Sequence, residues 1–241
     1  MTVRPLNSVF IGGRQIGANC LRVLVDMDAP PQLVIPDPDD VGVDSWFESL
    51  VKVAKELSLP TLRGARVKDE SAIKKIRALK PDIIFCIGSM QLIPKEVLAI
   101  PPLGVVNIHP ALLPKYRGRY STAHAIFNGE KETGATLHFM DERIDSGPII
   151  MQEAFPIGNE DTARVVYDKF TEVGTALFKR FVESLKRGEE IASTPQDESK
   201  ATYYPKGLPS GGKMDPSWDE VTKKRFVLAM TFPPFPMPDI D

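Results

Sequence analysis

Short apolar runs that alternate with segments of helical period constrain the fold of this chain more than any other feature of its sequence. The run SVFIGG is followed by a helical stretch, IGANCLRVLVDM, and then by a second apolar run, QLVIP. Later runs, DIIFCIG and GVVNIH, continue the pattern. Apolar runs bounded by turns indicate buried strands, and strands that alternate with helices are typical of a parallel sheet. The sequence therefore predicts an α/β fold with a Rossmann-like, mostly parallel sheet flanked by helices.

Capping and turn-forming residues in this pattern predict the start of one helix and the end of the core domain. The segment DSWFESLVKVAKEL has helical period, and it predicts a helix capped by Asp44 or Ser45. A long amphipathic helix is expected to end at Gly188, and turn-forming residues dominate from there onward. We therefore expect a core domain over residues 1–190 and a small C-terminal region over residues 191–241.

The charge balance of the chain bears on the class of its partners. Thirty Lys and Arg residues stand against 32 Asp and Glu residues, which gives a net charge of -2. Without a positive field, binding to nucleic acid through its phosphates is not expected, and small-molecule chemistry is favoured. Neither a secretion signal nor an apolar run of about 18 residues is apparent, so we expect a cytoplasmic protein that does not contact a membrane.

The loops after the first two predicted strands offer one alternative function. GGRQIG, Gly12 to Gly17, opens a helix whose first backbone amides could receive an anion. Its glycine spacing differs from the dinucleotide fingerprint, so an oxidoreductase rests on the glycine pair alone. Asp37 lies between prolines after the second strand, and we interpret it as a solvated loop residue.

The strand VVNIH carries a stronger signal. Residues i and i+2 of a strand point to one face, so Asn107 and His109 should converge near the carboxyl end of the sheet, where open α/β sheets bind ligands. An amide donor beside an imidazole suits a developing oxyanion and a proton in transit. The alternative is a histidine that ends a strand structurally before Pro110.

A carboxylate and several basic residues could complete this site. Asp145, in the turn of DERIDSGPII, could face the same pocket or could cap the turn. The segment LPKYRGRYS could contact a phosphorylated substrate or form a solvated face. His124 and His138 have no ligand spacing around them and are interpreted as structural, and no metal is expected.

The segment NIHPALLPKYRG, followed by IDSGPII, resembles the signature of formyltransferases that use N10-formyltetrahydrofolate. The resemblance extends over roughly residues 82–155. It implies that Asn107, His109 and Asp145 are catalytic and that residues 1–190 form the formyltransferase catalytic core. It further implies a folate site that comprises Ser89, Met90, Gln91, Leu92, Ile93, Met140 and Asp141.

The tail of the chain resembles one branch of this family. YYPKGLPSGGKMDPSW, with FPPF near the end, is similar to the C-terminal element of sugar N-formyltransferases. This resemblance implies an acceptor that is a nucleotide-linked amino sugar, commonly a dTDP-4-amino-4,6-dideoxyhexose of cell-surface polysaccharide biosynthesis, and a homodimer. The residues that it places near the acceptor are Arg14, Lys115, Arg117 and Tyr120.

Two other functions remain open at this stage. One is a formyltransferase for another amine, such as methionyl-tRNA or a free amino acid, although methionyl-tRNA formyltransferases generally carry a longer C-terminal barrel and a more basic surface. The other is an inert folate-binding module, which the complete Asn-His-Asp set argues against. The nucleotide, the hexose and the amino position depend on the shape of the pocket.

Overall fold

A computed structural model describes residues 6–236, and the strands that it contains confirm the predicted order of apolar runs. Two short strands, which the sequence pattern did not predict, also form. The strands are β1 (Ser8–Gly12), β2 (Leu33–Pro36), β3 (Ile83–Ile87), β4 (Val105–His109), β5 (Arg117–Gly118), β6 (Glu132–Phe139), β7 (Ile149–Pro156) and β8 (Tyr203–Tyr204).

The main sheet has six strands in the order β2-β1-β3-β4-β6-β7. The first four run parallel, whereas β6 and β7 are antiparallel to their neighbours. A separate parallel pair joins β5 to β8. The α/β, mostly parallel architecture predicted from the sequence is therefore confirmed, and the carboxyl ends of β1 to β4 meet at one edge.

Seven α-helices connect or cover these strands within residues 6–236, together with two short 3-10 turns. The helices are α1 (Arg14–Asp26), α2 (Leu50–Glu56), α3 (Glu70–Leu79), α4 (Lys95–Leu98), α5 (Ser121–Phe127), α6 (Ala163–Lys186) and α7 (Glu220–Met230).

The start of α2 corrects one expectation. The helix begins at Leu50 rather than near Asp44, and Ser49 is its N-cap, accepting the backbone N–H of Lys52. Trp46 explains the difference, because its ring packs edge-on against Tyr167 and Phe232. Those contacts hold the preceding residues in a loop that crosses α6.

Apolar side chains cover both faces of the sheet. On one face Phe10 and Phe85 pack under α6, where the Phe85 and Phe178 rings meet edge to face at 5.1 Å. On the other face Val9 and Ile84 pack toward α3 and α4. Each fully buried side chain of this size contributes about 1.5–3 kcal/mol. The two-sided core makes the sheet a rigid support for the loops at its edge.

The C-terminal segment packs against the same chain. Phe226 of α7 is fully buried, and the Trp218 ring lies 5.3 Å from that of Phe127 at the end of α5. Tyr204 of β8 stacks on the rings of Tyr116 and His124.

Within the described residues, no helix combines the length and the apolar character needed to cross a bilayer.

Candidate active site

Three segments converge at the carboxyl end of β4. The strand lies between β3 and β6, and its register with β6 places Asn107 opposite His138 and His109 opposite Thr136. The turn between β6 and β7 carries Asp145, and β5 follows β4 after a short loop. Asn107, His109 and Asp145, predicted together from the sequence, therefore meet at one point.

His109 is almost fully buried, and both of its ring nitrogens have partners. Nε2 lies 2.7 Å from the carbonyl oxygen of Tyr116, to which it donates. Nδ1 lies 3.3 Å from Oδ2 of Asp145. Both ring nitrogens thus face oxygen atoms of the pocket, which fixes the orientation of the imidazole.

The Asp145 carboxylate is fixed from several directions. Its Oδ2 accepts the backbone N–H of Gly118 at 2.8 Å, and Oδ1 lies 3.7 Å from Nε2 of His138. The residue has a φ of 54°, a left-handed conformation that aspartate adopts only where its surroundings hold it. Asp145 thus reaches the pocket rather than only capping its turn.

His138 corrects the interpretation that this histidine is structural. Its Nδ1 donates to the carbonyl of Phe139 at 2.7 Å, which leaves Nε2 to accept from Nδ2 of Asn107 at 3.3 Å. Burial lowers the pKa of His138 to about 4, although the nearby Asp145 carboxylate opposes that shift. A neutral His138 therefore orients the Asn107 amide. No local sequence pattern predicts this contact, because it arises from the pairing of β4 with β6.

The residues of the predicted folate-binding segment lie in the loop after β3. Met90 and Leu92 leave 46% and 76% of their surface exposed, while Ile93 packs on the core. Gln91 accepts the backbone N–H of Val67, and its buried Nε2 has no partner among the described residues. Apolar surface beside an unpartnered donor fits a flat, polar-edged heterocycle.

Asp37 corrects a second interpretation, because it is buried rather than solvated. Its Oδ1 accepts the hydroxyl of Ser89 at 2.6 Å and the backbone N–H of Met90 at 3.2 Å. Burial raises the pKa of this carboxyl above its ordinary value, against the lowering effect of those hydrogen bonds and of Arg14. Asp37 therefore ties the loop after β2 to the loop after β3.

The predicted residues of the β6–β7 turn differ in environment. Met140 donates its backbone N–H to Val105 and packs against the core. Asp141 accepts the hydroxyl of Ser146 and the backbone N–H of Arg143. Asp141 therefore shapes the turn that carries Asp145.

The residues predicted near the acceptor do not form one cluster. Arg14 lies at the start of α1, 3.9 Å from Asp37 and stacked on the Phe47 ring, and Tyr120 is 46% exposed. Lys115 is paired with Glu130. Arg117 is only 6% exposed, and its guanidinium is engaged by the side chains of Gln196 and Glu198. Its surroundings therefore argue against direct contact with a substrate.

Away from the carboxyl edge of the sheet, two further kinds of group could be reactive, namely thiols and metal ligands. Cys20 and Cys86 are buried free thiols. Residues 6–236 contain no cluster of three or more histidine, cysteine or acidic side chains that could hold a metal ion.

The chain is similar to methionyl-tRNA formyltransferases in sequence. The protein of Thermodesulfovibrio yellowstonii is 32% identical over 231 residues, which cover 95% of this chain and 74% of the relative. That of Kosmotoga olearia is 37% identical over 201 residues, which cover 82% of this chain and 64% of the relative. The chain thus spans between 64% and 74% of the length of these relatives.

Its fold is similar to that of an N-formyltransferase from Helicobacter canadensis, whose structure was solved in complex with folinic acid and dTDP-3-aminofucose. The TM-score is 0.83 at 26% identity, over 98% of this chain and 84% of the other. Residues 18–182 match the formyl transferase family, a span that includes Asn107, His109 and Asp145. The chain therefore belongs to the formyl transferase family, and it is an N-formyltransferase.

Proposed function

We propose that this enzyme transfers the formyl group of N10-formyltetrahydrofolate to the amine of a nucleotide-linked amino sugar. The observation that carries the reaction is the cluster of Asn107, His109 and Asp145 at the end of β4, with His109 and Asp145 in contact at 3.3 Å. These groups provide a hydrogen-bond donor, an imidazole and a carboxylate within one small pocket, which are the groups that acyl transfer to an amine requires.

The formyl donor fits the loop after β3. Met90 and Leu92 offer apolar walls, and the unpartnered Gln91 Nε2 offers a buried donor for a polar ring edge. When bound there, the folate would supply the formyl group and leave as tetrahydrofolate. The H. canadensis neighbour was solved with folinic acid, which supports a folate co-substrate here.

Each side chain of the cluster has a distinct task in this proposal. Asn107 is half-buried, and with one N–H given to His138 its other N–H can donate to the oxygen that gains charge when an amine attacks a formyl carbon. Asp145 and His109 together take the proton that the amine loses and return one to the departing nitrogen. Fixed dipoles around them need no reorganisation during these steps.

The surroundings of the site favour a small anionic acceptor. Helix α1 begins beside the site without a side-chain cap, and Arg14 in its first turn is 23% exposed and only weakly paired with Asp37. A helix N-terminus with an arginine suits the phosphates of a nucleotide. The net charge of -2 is unfavourable for a large polyanion such as tRNA.

Methionyl-tRNA is the second candidate acceptor. It is favoured by the higher identity of the two curated relatives, 32% and 37%, compared with 26% for the H. canadensis enzyme. Both candidates use the same formyl donor and the same cluster, so they differ only in the amine that is presented to it.

An acceptor assay distinguishes the two candidates. The purified protein is incubated with N10-formyltetrahydrofolate and, separately, with a panel of dTDP-linked 3-amino and 4-amino sugars or with methionyl-tRNA. We expect mass spectrometry to show addition of one formyl group to at least one sugar nucleotide. Formylation of methionyl-tRNA alone would replace the proposed acceptor with the second candidate.

Variants of the cluster provide the control for this assay. Asn107→Ala and His109→Ala should each lower kcat by about a hundredfold or more, since each removes a group aimed at the reacting atoms. Lys68→Ala changes a side chain outside the site and should retain the wild-type rate. If both cluster variants kept the wild-type rate, the reaction would take place elsewhere.

A further inference from the structure

The side chain of Gln196 contacts the turn that carries Asp145. Its Nε2 donates to the carbonyl oxygen of Asp145 at 2.9 Å and to that of Gly147 at 2.7 Å. The two hydrogens of one amide thereby bind the carbonyl of Asp145, a residue in left-handed conformation, and the carbonyl of Gly147 two residues later. Gln196 lies 51 residues further along the chain than Asp145 and outside the six-stranded sheet.

Gln196 is itself held by an ion pair. The Nε and Nη2 atoms of Arg117 donate to its Oε1 at 3.1 and 2.9 Å. The same guanidinium donates to both carboxylate oxygens of Glu198, at 3.0 and 2.9 Å. Arg117 is thus paired bidentately on two sides, which fixes the orientation of the Gln196 amide.

The backbone around Arg117 completes the connection to the reacting groups. Tyr116 and Gly118 flank this residue; Tyr116 supplies the carbonyl that His109 contacts, and Gly118 supplies the N–H that Asp145 accepts. Strand β5, which contains Arg117 and Gly118, pairs with β8, and the N–H of the preceding Tyr116 donates to Oγ1 of Thr202 at 2.7 Å. The C-terminal segment therefore supports Asp145 through its backbone and through its carboxylate.

We propose that Gln196 is a positioning residue for Asp145, and that the ion pair of Arg117 with Glu198 holds Gln196 in place. This inference rests on the proposed role of Asp145 in formyl transfer. Gln196 touches no reacting atom, so its contribution is to keep the Asp145 carboxylate at its distance from His109. Arg117 accordingly acts on the rate of the reaction rather than on the affinity for the acceptor.

The sharpest variant is Gln196→Glu, which keeps the size of the side chain and its pairing with Arg117 but replaces two donors with acceptors that repel both carbonyls. With the acceptor identified above, we expect kcat to fall about tenfold or more while KM for either substrate changes less than about threefold. Lys200→Ala, on the same segment and paired only with Asp197, should behave as wild type. A wild-type kcat for Gln196→Glu in a folded protein would overturn the proposal.

Arg117→Lys separates positioning from substrate binding. Lysine keeps the positive charge, so a phosphate contact would be retained in part, but it cannot donate bidentately to Gln196 and Glu198. We expect a loss in kcat similar to that of Gln196→Glu. A rise in KM for the sugar nucleotide with kcat unchanged would overturn the proposal in favour of a substrate contact.

A spectroscopic readout tests the proposal without any substrate. The chain has three histidines, so the ring nitrogen signals of His109, His124 and His138 can be assigned separately. Gln196→Glu should move the signals of His109 and leave those of His124 in place, because His109 contacts Asp145 directly whereas His124 contacts the carbonyl of Gly207. Unchanged His109 signals would overturn the inference even if no acceptor were formylated, whereas shifted signals with an inactive wild-type protein would count against the proposed function alone.

Discussion

His138 shows how a single residue in this site depends on its partners. Its neutral ring accepts from Asn107 and donates to a backbone carbonyl, so it sets the rotation of the Asn107 amide. The titration of His138 then becomes part of the stability of the protein. Any proton that enters this ring would remove the acceptor on which Asn107 relies.

We predict that His138→Gln reduces the loss of stability in acid. The pKa of His138 is lowered from 6.5 to about 4 by burial, so between these values the unfolded chain binds a proton that the folded chain does not. Stability therefore falls as the pH falls through this window, and glutamine, which can form both hydrogen bonds without titrating, removes that contribution. Urea unfolding at a series of pH values measures it.

The variant should match wild type in the slope of unfolding free energy against pH above neutrality. Between pH 6.5 and about pH 4, the variant should show a smaller slope than wild type. An identical slope throughout would mean that His138 is not buried as a neutral ring. Activity of the variant also tests whether an amide can replace the imidazole in orienting Asn107.

At the scale of elements, the site depends on how closely α1 approaches the end of β3. A Cβ on Gly17 would lie 2.9 Å from the carbonyl oxygen of Ile87, a backbone atom that cannot move aside cheaply. A Cβ on Gly88 in the next loop would lie 2.4 Å from the carbonyl of Gly13. The glycines of GGRQIG therefore permit close packing, in addition to opening a helix.

We predict that Gly17→Ala destabilises the protein by about 1–3 kcal/mol, because the added methyl displaces α1 from the sheet. Gly174→Ala in α6 is the matched control. Its methyl would meet side-chain rather than backbone atoms, those of Ile16, Ile108 and Phe170 at 3.2, 3.3 and 3.5 Å, and alanine gains about 1 kcal/mol in helix propensity. Chemical denaturation compares the two variants, and an equal effect at both positions would contradict this explanation.

Local sequence patterns predicted the elements better than the contacts between them. Asn107 and His109 could be placed from the two-residue period of a strand, and the mostly parallel sheet could be predicted from the alternation of strands and helices. His138 and Gln196 could not, since their roles arise from an antiparallel register and from a pairing 51 residues distant. The burial of Asp37 could not be predicted either. Its flanking prolines indicate a loop, whereas its burial depends on tertiary contacts with Ser89 and Met90 in the loop after β3.

At the scale of the whole molecule, the homodimer stays a prediction. The aromatic residues after α7 pack on their own chain, where Phe232 contacts Trp46 and Tyr167. The prediction thus rests on the family resemblance. Light scattering at micromolar concentration should give twice the 26.7 kDa of one chain, and a mass of one chain would contradict it.

The support of the Asp145 turn by Gln196 also has a consequence for the order of synthesis. A ribosome delivers all six strands of the main sheet by Pro156 and the long helix α6 by Lys186, so the sheet can form while the last segment is still being made. The partner of the Asp145 carbonyl emerges only afterwards. A nascent chain would therefore hold its folded sheet, with Asn107 and His109 in place, before the turn that carries Asp145 gained its contact with Gln196.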